Sequence, residues 1–148
     1  MNTEQASQGI AIPTTMVPPV SSTSTVKKTG GVDLKLFRRA VFVCGVGAMT
    51  ATGTVDIKLQ ESVDTTDGNF SDISGGAATQ LLAAGGDNRI VVLEIDAEKL
   101  TAGKRYVRAV LTPATAASLL FGIPLGVDAV QKPGSQNNDA SVAQRVVV

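Results

Sequence analysis

The 148-residue sequence has no histidine and no tryptophan, a single cysteine, one tyrosine and four phenylalanines. Without histidine there is no imidazole general base, no Ser-His-Asp triad, no Cys-His pair and no histidine-ligated metal. One cysteine, Cys44, can close neither an intrachain disulfide nor a thiolate metal cage. It lies in the apolar run VFVCGVG (41–47), where it reads as a small buried hydrophobe rather than a reactive thiol. Aromatic residues make up 3% of the chain, so its core must come from Val, Ile, Leu and Ala.

Charge is scarce as well, at 18% of residues against the usual ~25%. Lys+Arg and Asp+Glu both number 13, for a formal net charge of +0. Such a chain lacks the excess cations that displace phosphate counterions or hold a protein on an anionic membrane. Neither nucleic acid nor membrane is therefore an expected partner, whereas low net charge favours association between proteins. No run approaches the ~20 apolar residues of a spanning helix. The N-terminus MNTEQASQGIAIPTT has no basic segment followed by an apolar one, so synthesis in a cytoplasm is expected.

What is present is a strand pattern on a single-domain scale, for which ~100–150 residues is typical. LFRRAVFVCGVG (36–47) is rich in β-branched and aromatic residues and reads as a central strand. TVDIKLQES (54–62), RIVVLEID (89–96) and KRYVRAVLT (104–112) alternate with period two. Their inward sets are Val55/Ile57/Leu59, Val91/Leu93/Ile95 and Val107/Ala109/Leu111, with Tyr106 and Arg108 facing away. DTTDGN (64–69) has turn chemistry and leads into a short return strand, NFSDI (69–73), anchored by Phe70. Leu81-Leu82 is a strand or a helical turn, and 97–104 holds a brief helical turn. A last strand runs near 118–127, where Pro124 implies a sheet edge or a bulge. Short strands, glycine-rich turns and no helix–strand alternation predict an all-β fold, a β-sandwich or jelly-roll-like domain.

The ends differ from this middle. Residues 1–31 are rich in Ser, Thr, Gly and Pro and read as an extended N-terminal arm; 32–130 form the β domain; 131–148 are a C-terminal tail. Apolar side chains recur within both ends, and apolar residues in segments without a core of their own suit docking on a partner. The candidate interface residues are Ile10, Ile12, Met16, Val17, Val146, Val147 and Val148, with Arg38 and Arg39 from a mildly basic stretch that could meet an acidic surface.

No constellation carries chemistry. Asp64, Asp67, Asn69 and Asp72 surround a glycine, but the acidic twelfth position of a calcium loop falls on Gly75. Gly103-Lys104 lacks the rest of a phosphate loop. Glu61 and Glu94 could be imagined as a glycosidase pair, but aromatic sugar platforms are scarce. Neither cofactor nor metal is expected, and an enzyme is the least supported class.

The block over 53–82, GTVDIKLQESVDTTDGNFSDISGGAATQL and its continuation, resembles a pattern in virion proteins of tailed bacteriophages. In these an alternating strand ends in Q-E-S and is followed by an Asp-rich turn, an aromatic with x-D-I and a Gly/Ala/Thr segment. VVLEIDAEKLTAGKRYVRAVLT (91–112) is similar to their later strand, turn and K-R-Y-V-R strand, and the resemblance spans about 36–125. It implies a capsid cement or decoration protein on the outside of the particle, stabilising contacts between neighbouring major capsid protein subunits. Such proteins are often homotrimers with extended arms. A tail, neck or head-tail joining component is the alternative, and a glycan-binding β module a more distant one.

Overall fold

The structure, a computed structural model, describes residues 5–147. Eleven strands follow one another: β1 (Ile10–Ala11), β2 (Val17–Ser22), β3 (Lys27–Lys28), β4 (Val32–Asp33), β5 (Phe37–Met49), β6 (Thr54–Ser62), β7 (Ser71–Ala77), β8 (Leu81–Leu82), β9 (Arg89–Asp96), β10 (Tyr106–Ala114) and β11 (Ser118–Ala129). They form two antiparallel sheets. In the first, β1 and β2 both pair with β11, followed by β5 and β9. In the second, β3 and β4 both pair with β10, followed by β6, which pairs with β7 and β8.

The pairings are nested in sequence. β2 pairs with β11, β3 and β4 with β10, β5 with β9, and β6 with β7. This is one long antiparallel ribbon whose successive strand pairs fall alternately in the two sheets. Rolling it up brings β5 beside β11 and β6 beside β10, which closes a jelly-roll sandwich.

The core lies between the sheets. Phe37, Phe42, Cys44 and Val46 on β5 face Val55, Ile57 and Leu59 on β6 and Val107, Ala109 and Leu111 on β10, all 2% exposed or less. Burial pushes the Cys44 thiol up to about 12, so it stays protonated and unreactive at neutral pH. On β11 the inward positions beyond Leu120 are small or rigid: Gly122, Pro124 and Gly126. The ring of Phe37 lies against Gly126, where an added Cβ would stand 2.5 Å from it.

Three expectations need correction. The first concerns the N-terminal segment: from Ile10 onward it lies within the domain and is no separate arm. Ala11 and Val17 are buried in the core, and β2 and β3 occupy edge positions in the two sheets. Pro18 and Pro19 are compatible with this because an edge strand has one side free of ladder hydrogen bonds. The second is the edge alternative for the Pro124 strand; the other alternative, a bulge, has a register shift close by. β11 is interior, paired with β5 on one side and with β1 and β2 on the other. The proline falls where the chain at 12–16 leaves the sheet between those two pairings, beside a register shift at 120–122. The third is Phe70, which precedes β7 and sits outside the second sheet, its ring 3.9 Å from the Arg108 guanidinium. That cover explains why Arg108, on the outward face of β10, is only 6% exposed.

β4 is held to the turn before β10 by Arg105, whose Nε donates to Asp33 Oδ1 at 2.6 Å. Burial alone would raise the Asp33 carboxyl, but hydrogen bonds from Arg105 and from the Lys35 N–H outweigh it and hold the group below its ordinary value. A depressed carboxylate stabilises the fold above the unfolded value of about 3.9, and that contribution is lost as pH falls through the lowered value. Asp33→Asn is therefore expected to lower the melting temperature by a few degrees at pH 7. The gap from the unmodified chain should narrow as pH falls below the unfolded value of about 3.9 and close once the carboxyl is protonated in the folded chain. A gap that persists in acid would show that the carboxylate charge is not the source.

Candidate functional site

The described residues contain no cluster of three or more His, Cys, Asp or Glu side chains able to hold a metal ion. The acids of the 64–72 turn are each engaged otherwise. Asp64 accepts from the Thr66 N–H and the Asn69 amide, Asp67 from Lys28 and Arg108, and Asp72 from Lys58 and Gln60. These bonds hold all three carboxyls below their ordinary values. Glu61 and Glu94 do not form a pair: Glu61 is buried and accepts from the Thr101 N–H, while Glu94 lies outside the first sheet beside Arg39. No helix among the described residues is long and apolar enough to cross a membrane.

Surfaces are more informative than clefts. Outside the second sheet the side chains form a polar lattice: Lys28 to Asp67, Arg108 to Asp67 and Gln60, Gln60 and Lys58 to Asp72, and Gln80 to Asp56. Outside the first sheet the chemistry reverses. The register places Val43 between Val92 and Ile123, Val41 beside Leu125, and Gly45 between Ile90 and Phe121. Ile90 is 66% and Val92 59% exposed. The Phe121 ring lies over Gly45, where a Cβ would stand 2.0 Å from it. Gly47 lines a groove of about 330 Å³ with Ile90, Leu119 and Phe121.

A second feature is the end of the roll where the two chain ends meet. The Ile12 N–H donates to the Asn138 side chain at 2.9 Å, and the Asp139 N–H donates to the Ile12 carbonyl at 2.7 Å. Ile10 pairs with Val127 and is 38% exposed. With Arg38, Val127, Val130 and Lys132 it lines a shallow, open depression of about 550 Å³. The C-terminal segment reaches the same end, since Arg145 Nη1 donates to Ser135 Oγ. Val146, at 73%, and Val147 follow it and are exposed.

The candidate interface residues thus fall into different situations. Ile10, Arg38, Val146 and Val147 are exposed, and Ile10 and Arg38 share one depression. Ile12 is half-buried with its backbone clamped, and Met16 is exposed beside the β2 edge. Arg39 is committed to Asp128, Glu94 and Asp96. Val17 points into the core and cannot meet a partner, and Val148 lies outside the described residues. The apolar outer face of the first sheet escaped the sequence reading, although a signal existed. VFVCGVG and LLFGIPLGV are apolar at both strand parities, as expected of strands covered on both sides.

The sequence matches no protein-family model, and no curated protein matches it.

Proposed function

We propose that the protein is a structural component of a tailed-bacteriophage particle. In this reading it is a cement protein that binds outside the capsid and stabilises contacts between neighbouring major capsid subunits. The observation that carries the reading is the meeting of both terminal segments at one end of the roll, where Ile10 and Val130 line an open depression with Arg38 and the C-terminal Val146 and Val147 are exposed. Apolar side chains gathered around a cation form the core of a contact patch rather than a solvated surface. The jelly-roll sandwich and the virion-like sequence block support the same assignment. The mechanism is additive, because weak contacts repeated by particle symmetry give stable attachment.

The test is co-sedimentation with capsids that lack the protein, together with capsid survival on heating. Saturable binding and raised heat resistance are expected. Ile10→Asp combined with Val146→Asp should weaken binding by about tenfold or more, the scale of losing an anchor residue, without changing the melting of the isolated protein. Failure to bind capsids, or attachment to tails or necks instead, would overturn the assignment.

A further inference from the structure

We infer that two copies of the chain pack face to face through the apolar outer side of the β2–β11–β5–β9 sheet. An antiparallel sheet with water on one side carries polar residues there, as the second sheet of this same chain does with its Lys28, Lys58, Asp72 and Arg108 lattice. The first sheet presents Val41, Val43, Phe121, Ile123, Ile90 and Val92 instead. The contrast between two faces of one molecule rules out an apolar composition as the explanation.

Three features of the face favour a second copy as the occupant. First, the patch contains its own complement. Ile90 and Val92 form a ridge on β9, and a mostly apolar groove of about 330 Å³ opens beside Ile90, lined by Gly47, Leu119 and Phe121. A two-fold axis in the plane of the face sets each copy's ridge in the other's groove, the self-complementary arrangement of an isologous dimer. Second, the charges at the rim are spent internally. Arg39 is paired with Asp128, Glu94 and Asp96, and the chain's net charge is +0. Arg89, which lines the groove, donates to the Gly85 carbonyl, and in a chain of balanced charge no strong net field opposes a second copy. Third, the size suffices. Four strands at ~4.8 Å spacing and about eight residues at ~3.4 Å each cover roughly 500 Å² per copy, or about 1,000 Å² in total, the threshold for a stable interface. Stacked sheets at ~10 Å separation are an ordinary packing layer.

This contact is independent of the particle reading, and its test needs no particle. Sedimentation and light scattering of the full chain at rising concentration should converge on twice the 15.1 kDa of one chain. Ile90→Lys with Val92→Lys should raise the dissociation constant about a hundredfold or more, as for loss of a central hot spot. Melting of the dilute variant should be unchanged, because both side chains are largely exposed. Val147→Lys, away from the face, should leave the dimer intact. A one-chain mass at every concentration, a three-chain mass, or a dimer indifferent to the lysines would each overturn the proposal. A one-chain mass together with loss of capsid attachment in the lysine variant would assign the face to the particle instead.

Discussion

A chain starting at Val32 is expected to be recovered unfolded or aggregated, whatever its attachment to particles. Removing residues 1–31 takes β1 and β2 from β11 and β3 from β10, leaving β11 a bare edge and β10 covered only by β4 at Tyr106 and Val107. It removes Val17 and Ala11 from the core. It also removes Thr29, whose N–H donates to the Ala109 carbonyl and whose hydroxyl accepts from the buried Ala109 N–H, both at 3.0 Å. Burying a valine contributes ~1.5–3 kcal/mol, and each orphaned buried backbone group costs ~1–3 kcal/mol. Together with the lost ladder these terms rival the ~5–15 kcal/mol that holds a typical domain folded. The exposed 118–129 strand is long and apolar, which is the composition of an aggregating edge. Circular dichroism and size-exclusion chromatography of the truncated chain decide the matter. A monomer melting within a few degrees of the full chain would mean that the N-terminal strands are ornamental.

Phe42→Ala is expected to be the most damaging single substitution, at about 3–5 kcal/mol. For a chain of this length that lowers the melting temperature by roughly 6–20 °C. Only Phe37 and Phe42 among the aromatic residues are fully buried. Phe42 lies in register with Leu93 on one side and Pro124 on the other, and faces the second sheet. Pro124 is rigid and Gly122 and Gly126 have no side chain to move, so the neighbouring strand offers little to fill the space. Phe121→Ala is the contrast: the same change on the outer face should cost far less stability. Equal losses at 42 and 121 in denaturant melts would mean that the first sheet is covered on both sides even at low concentration.

The inner faces of β6, β9 and β10 were legible because alternation with period two is a local property of the chain. Thr54–Ser62 and Arg89–Asp96 begin and end where the pattern does. The candidate site was legible only in part. Exposed Ile10, Arg38, Val146 and Val147 were visible as apolar or basic residues outside any strand pattern or at its margin, but nothing local brings Ile12 to Asn138 and Asp139. Phe70 was legible as an anchor of the return segment, but its contact was not, because an aromatic next to a strand is as compatible with a guanidinium on the outer face as with a hydrophobic core.

What the sequence determined by itself is chemical: without histidine, with one cysteine and few aromatics, it determines an aliphatic β core and excludes the histidine-dependent sites. Which strands pair was decided by tertiary structure alone. β2 meets β11 across about a hundred residues of chain, and no local periodicity records a partner so distant in sequence. The same long-range pairing made edge strands of the proline-rich N-terminus, placed β11 inside a sheet despite Pro124, and left one sheet face polar and the other apolar.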